Sequence, residues 1–365
     1  MPYSKLDRDK LKIKSLKDRS DKVTIEKDHL TVGSKVAEFN VDKQKILEET
    51  AKRILQARKN KKSVMLAFGA HSIKNGLSPV LIKFIEEGWI THLATNGAGI
   101  IHDWEFAYQG KTSEDVKANV ERGQFGIWQE TGYFINLALV VGAYEGLGYG
   151  ESVGAMIQNE CLNIPTIMEL EKCAKDLSDL DKAAAALDLL YTVKKFSIKS
   201  GKMQIPHPYK KYSVQAAAYR LSVPFTGHPM IGHDIIYTHP LNNGAAIGRA
   251  ALRDFLVYAD QVHNLDGGVY LSVGSAVMSP MIFEKSLSMS QNLEIQKGKH
   301  IDNHFILVVD LAESSWDWST SGEPPMDNPA YYLRYCKTFN RMGGTMRYLS
   351  ADNRDFLISL YKELV

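Results

Sequence analysis

Two stretches, SVMLAFG (residues 63–69) and WITHLATNGAG (residues 89–99), decide the fold. Each contains a short apolar run that leads into glycine, and neither alternates apolar with polar residues. Between them Leu77, Leu81, Ile82 and Ile85 fall on one face of a helix spanning Leu77 to Glu87. Strand, helix and strand, with strands that are continuously apolar, is the pattern of a parallel βαβ unit covered on both faces. The rhythm returns toward the C-terminus. Strands are expected at 233–239 (HDIIYTH), 268–273, 304–310 and 345–349, and helices at 248–263, 276–291, 331–342 and 352–364. The expected class is α/β, a parallel sheet with helices on both faces.

Outward from that core the chain changes character. A helix beginning at Asp42 places Ile46, Leu47, Thr50, Ile54 and Leu55 on one side and ends in the basic run Arg58-Lys-Asn-Lys-Lys62, which suits a helix C-terminus. Residues 1–41 carry Lys5, Arg8, Lys10, Lys12, Lys14, Lys17, Arg19 and Lys22 against fewer acids, with few large apolar side chains. They read as a basic arm, solvated or clasping a neighbouring subunit, ahead of one α/β domain at 42–365. The middle, roughly 111–221, reads as a helical insertion: a helix opened by Thr112-Ser-Glu-Asp115, a second over 125–143 and a third over 180–190. Within it GAYEGLGYGESVG (142–154) reads as a turn between helices, with a ligand loop as the alternative.

Composition removes several classes of function. An apolar fraction of 44% with 24% charged residues is that of a globular chain with a substantial core. Forty-four basic against 42 acidic residues leave +2, so no whole-chain field favours nucleic acid or an anionic membrane. The longest strongly apolar run, near 134–143, is about half of a bilayer span. Cys161, Cys173 and Cys336 are odd in number and unpaired by spacing, and the N-terminus has no apolar leader. A soluble cytoplasmic protein with reduced thiols follows as the expectation.

Ligands of an open parallel sheet bind outside the carboxyl ends of its strands. There this sequence places GAHSIKNG (69–76), TNGAG (95–99) followed by His102 and Asp103, then Val273-Gly-Ser275, the acid-rich 310–323 and Asp352, while His228, His233 and Asp234 lie before and within the third expected strand. Small residues at such ends let backbone approach a phosphate or nucleotide, and Gly97 and Gly99 are read in that way. His102 beside Asp103 is a candidate acid/base imidazole. His71, His102, Asp103, His228 and Asp234 would make the metal centre of a hydrolase if they converged, although no HExxH pair or other metal spacing is present. His92, inside an apolar strand, reads as a core residue.

The order of GAHSIKNG, TNGAG and PFTGHP…HDIIYTH resembles deoxyhypusine synthase, over roughly 63–110 and 222–355. The resemblance implies a Rossmann-like NAD-binding fold, a tetrameric or dimeric homo-oligomer, a small-molecule substrate, and no nucleic-acid or membrane partner. By position it implies cofactor contacts at His71, Gly76, Thr95, Asn96, Gly97, Gly99, Gly274, Ser275 and Asp352. It also implies catalytic roles near His102, Asp103 and Asp234. The family's amine-binding segment matches WDWSTSG (316–322), keeping Asp317, Ser319, Ser321 and Gly322, with Trp316, Asp327 and Tyr331 completing a substrate set. The family's covalent lysine falls on Leu333, which cannot form an imine. Lys337 would reach that place only if its helix were shifted. The resemblance is therefore to a divergent branch: an NAD-binding enzyme, a transferase or lyase, acting on a small polar or cationic metabolite. Metal-assisted hydrolysis and a non-catalytic nucleotide-binding or assembly protein are the alternatives.

Overall fold

The computed structural model describes residues 3–365, so the first two residues of the arm lie outside it. Six strands form the central sheet: β1 (Val64–Phe68), β2 (His92–Asn96), β3 (Phe225–His228), β4 (Val269–Val273), β5 (Phe305–Asp310) and β6 (Thr345–Ser350). Their spatial order is β6-β5-β4-β1-β2-β3, and every neighbouring pair is parallel. Read from the other edge this is 3-2-1-4-5-6, the doubly wound Rossmann-like order, whose direction reverses between β1 and β4.

Every residue of β1 and β4 is buried, which explains the unbroken apolar sequence of β1 and the single small polar residue, Ser272, in β4. Val64, Leu66 and Phe68 pack toward α1 (Val41–Lys59), the helix Ser78–Glu86 and the C-terminal α7 (Asn353–Leu364). Met65 and Ala67 face the other layer, where Tyr258, Tyr270 and Phe283 sit. That layer is built by α5 (Gly244–His263) and α6 (Met278–Ile295). Each large apolar side chain so buried contributes about 1.5–3 kcal/mol, ample to fix the strand order. Beside β2 and β3 lie α2 (Gly97–Gln109), α3 (Tyr149–Asn159) and α4 (Val214–Leu221).

The sequence expectations need four corrections. HDIIYTH is no strand: it holds a 3-10 turn at Ile235–Thr238, and the strand is the earlier Phe225–His228. Its apolar pair mimics a strand, but Ile236 packs inward from a turn after the sheet edge. Thr112-Ser-Glu is a short strand, Lys111–Glu114, and the cap of the following helix is Asp115. The expected helix over 331–342 splits at Leu333 into a 3-10 turn and the helix Arg334–Asn340. The helical middle also contains an antiparallel pair, Cys161–Ile164 with Gly201–Gln204.

The arm, finally, is folded onto its own chain. Leu16 and Arg19 are buried, Asp21–Thr24 pairs antiparallel with Lys111–Glu114, and Arg8 donates to the Tyr237 carbonyl at 2.7 Å. Its lysines dominate the sequence, yet it is anchored by the buried Leu16, Ile25 and Arg19.

Candidate active site

The turn from β2 into α2 shows what its glycines do. Thr95 Oγ1 donates to the Phe68 carbonyl at 2.9 Å, tying β2 to β1, and Asn96 caps α2 by accepting from Gly99 N at 3.0 Å. A Cβ on Gly99 would lie 2.2 Å from Thr95 Oγ1, and one on Gly97 would lie 2.0 Å from Asp234 Oδ2. Both glycines therefore admit the protein's own polar groups. Gly76, at φ +81°, similarly packs against the Asp28 carbonyl of the arm.

His102 and Asp103 are neighbours in sequence but point apart, because successive helical residues are turned about 100° from each other. Asp103 is fully buried and accepts from Ser213 Oγ (2.6 Å), Val214 N (2.9 Å), Gln215 N (3.2 Å) and Gln215 Nε2 (2.9 Å). It caps α4. Burial pushes its carboxyl up, against the pull of those donors. The expectation that it orients His102 is overturned by this saturation.

The partner of His102 is Glu105, one helical turn on, through Thr112. His102 Nδ1 lies 2.8 Å from Thr112 Oγ1, and Thr112 donates its only hydroxyl proton to Glu105 Oε2 at 2.5 Å. Thr112 can therefore only accept from the imidazole, so Nδ1 carries the proton and Nε2 is left as the basic nitrogen. Glu105 is held in turn by a two-pronged pair with Arg19, both contacts at 2.7 Å, and by Thr131 Oγ1 at 3.0 Å. Arg19 also meets Asp21 at 2.6 Å. Burial pushes the Glu105 carboxyl up, but Arg19 outweighs it and holds the group below the usual range. Burial, helped by the charges of Lys74, Arg19 and His71, lowers His102 to about 4, against the pull of Glu105. The imidazole is neutral at physiological pH.

His102 opens onto a cavity of about 200 Å³ whose walls include Lys74, Glu114, Phe125 and Asp234. Asp234 Oδ2 is buried with no hydrogen-bond partner, and burial pushes its carboxyl up to about 6. A carboxyl left without a donor at a helix N-terminus, beside a neutral base, is equipped to receive a donor-bearing group. Lys74, Glu105 and Arg19 were missing from the sequence expectation. Glu105 was legible as the i+3 neighbour of His102, whereas Arg19 lies 86 residues away from its partner.

The other expected site residues lie elsewhere. Gly274, at φ +58°, follows β4 at the switch point, where the Gly69 amide bonds Val273. Ser275 Oγ accepts from Ser279 N at 3.3 Å. The amides of Ser275, Ala276 and Val277 have no acceptor among the described residues. They lie just before α6, an 18-residue helix whose N-terminal end favours an anion. His71 is exposed on the short helix Ala70–Lys74, and Asp352 caps α7 while pairing with Arg354 at 2.9 Å.

Trp316, Asp317, Ser319, Ser321, Asp327 and Tyr331 sit beyond β5, on a loop separated from β2 by β4 and β1, and none lines the His102 cavity. Asp317 is exposed and satisfied by its own turn, accepting from Ser319 N at 2.8 Å and Thr320 Oγ1 at 2.5 Å; those bonds hold it down at about 2. Tyr331 lies under the Lys337 ammonium, 3.3 Å from its ring centre. The metal alternative also fails. No group of three or more His, Cys, Asp or Glu placed to hold a metal exists among the described residues. Asp103 is spent on α4, and His228 Nε2 bonds Thr226, which also bonds His92.

No family model and no curated protein matches the chain. Solved structures do. A conserved candidate LOR/SDH protein from Methanococcus maripaludis is 13% identical at a TM-score of 0.42, covering 91% of this chain and 70% of its own. AgrE in complex with ornithine and NAD+ is 14% identical at 0.44, covering 91% of this chain and 34% of its own. A candidate deoxyhypusine synthase from Entamoeba histolytica is 10% identical at 0.39, covering 87% and 88%. The chain thus spans about a third of the length of AgrE. These are likenesses of fold.

Proposed function

We propose that the chain is an enzyme that binds NAD across the β1/β4 crevice and acts on a small polar or cationic metabolite, with His102 Nε2 as the proton acceptor. The observation that supports the dinucleotide reading is the turn Gly274–Val277 leading into α6, with the amides of Ser275, Ala276 and Val277 unpaired among the described residues, at the reversal point of a 3-2-1-4-5-6 sheet. Gly274, Ser275 and the amides to Val277 would hold the pyrophosphate. NAD when bound supplies a hydride acceptor. His102 takes a proton through Nε2, while the Thr112–Glu105–Arg19 chain stabilises the imidazolium that results. Asp234 receives a cationic or N–H-bearing group of the substrate. Leu333 excludes an imine at that position, which leaves redox-assisted transfer or elimination as the reaction type.

In this reading residues 42–365 are one functional domain behind the 1–41 arm. The loop bearing Trp316, Asp317 and Tyr331 would serve the site of a second copy in a dimer or tetramer. A protein that binds the nucleotide without turnover is the second reading, favoured by Leu333 alone. The test is calorimetry with NAD+ and NADH on wild type and Ala276→Glu. Ala276 is exposed and precedes a helix that tolerates an acid there, so the variant should fold normally yet lose nucleotide binding. Undiminished binding in Ala276→Glu, or none in the wild type, would contradict the proposal.

A further inference from the structure

The glycine-dense stretch 142–154 takes no part in the site above, yet it walls a cavity of about 860 Å³, about four times the volume of the one beside His102. That size is within the roughly 300–1,000 Å³ of small-molecule sites, and the two cavities share no lining residue. Gly146, at φ +92°, ends the helix Gln129–Glu145, and Gly148 opens α3.

The N-terminus of α3 already has its anion. Asp254, buried on α5, accepts from Gly150 N at 2.8 Å and Gly227 N at 2.6 Å. An anionic ligand therefore finds those donors taken. What the wall still offers is acceptors. Gln215, 1% exposed, donates through Nε2 to the Ile100 carbonyl (3.1 Å) and to Asp103 (2.9 Å), which fixes the orientation of its amide. Its Oε1 is left buried with no donor. Glu151 stands on the same wall, and the one cation among the lining residues, Arg253, is engaged by the Ala143 and Leu147 carbonyls and by Asp181. Burial pushes the Asp254 carboxyl up to about 7, and the charge of Glu151 adds to the push. A bound cation would relieve both. A bare metal ion is not that cation, since no metal-holding group of three exists among the described residues. The remaining wall is organic in character, with Tyr219, Val223 and Leu256.

We propose that this cavity binds a small organic ammonium ion, whose N–H groups donate to Gln215 Oε1 and Glu151 while its hydrocarbon body packs on Tyr219, Val223 and Leu256. The site does not depend on the reading of His102.

The experiment is titration of the full chain with n-hexylammonium chloride by calorimetry, checked by ligand-observed NMR. Wild type should bind it saturably at one site. Glu151→Gln should weaken binding about tenfold, as expected for loss of one charge-assisted hydrogen bond. Val257→Trp, at an exposed position on the cavity rim, should abolish it; should that variant fail to fold, Leu256→Trp fills the same wall. Hexan-1-ol and hexanoate should bind at least about tenfold more weakly, and His102→Ala should bind as wild type does. Absence of saturable binding would overturn the proposal. So would equal binding of the alcohol, unchanged affinity in Glu151→Gln, retention in the tryptophan variant, or loss in His102→Ala.

Discussion

The carboxyl-end face of the sheet has two unlike halves. At β2 and β3, buried charges are bound across long sequence distances: Arg19 by Glu105, and Asp103 by Ser213 and Gln215. After β5 and β6, Asp317 is exposed and Asp352 partly buried, and each is satisfied by its own turn, Asp317 by Ser319 and Thr320, and Asp352 by Arg354. A buried charge with fixed partners holds its neighbours in one geometry and one protonation state, whereas an exposed one is screened by water. In the proposed reading the chemistry of a single copy belongs to the first half. The second half has acids and aromatics but no enclosed base among the described residues.

The contrast is broken most forcefully by removing the shared cation. Arg19→Met leaves Glu105 buried without a cation and Asp21 with Lys111 alone, and chemical denaturation should show a loss of about 3–5 kcal/mol. The counterpart Lys337→Met, which frees Glu323 from a 2.7 Å pair on the β5 side, should melt within the scatter of replicate wild-type samples. Next in size is Asp103→Ala. It removes the cap of α4 and strands four donors, so denaturation should register a loss of about 2–4 kcal/mol, against no measurable change for Asp317→Ala.

Asp234 sharpens the comparison through pH. Its folded-state value is raised from 3.8 to about 6, so the fold favours the neutral carboxyl. Ionisation therefore costs stability, a cost absent below pH 3.8, growing toward pH 6 and constant above. Asp234→Asn should accordingly be more stable than wild type at pH 7.5, by about 1 kcal/mol, and the gain should vanish below pH 4. A gain that instead grows in acid would reverse the sign of the argument. Thr112→Val should also cost only about 1 kcal/mol, but it releases the histidine tautomer, a change visible by NMR.

Most of the sheet was legible because β1, β4 and β5 are buried and hence predominantly apolar. β3 was not, since Phe225-Thr-Gly-His228 is a four-residue edge strand with one large apolar residue, while HDIIYTH nearby carries the stronger β pattern. Of the site, His102 was legible as a polar residue following small ones at a strand end, whereas Asp234 was expected within the strand 233–239. The structure places both on one cavity. Arg19 was hidden for a physical reason: in a basic run, nothing local distinguishes the one guanidinium with a buried carboxylate waiting in α2. Asp103 misled because adjacency in sequence is not adjacency on a helix. The substrate segment 316–331 matched a motif, but no motif reports that its aspartate is already satisfied by its own turn.

The central claim is that His102 is a neutral base with its proton held on Nδ1. Two-bond 1H–15N correlation of the uniformly labelled protein at pH 7 measures this directly. His102 should show a protonated Nδ1 and a bare Nε2, unchanged until the pH falls toward about 4, and the pattern should be lost in Thr112→Val. An Nε2–H tautomer, or an imidazolium at pH 7, would contradict the account.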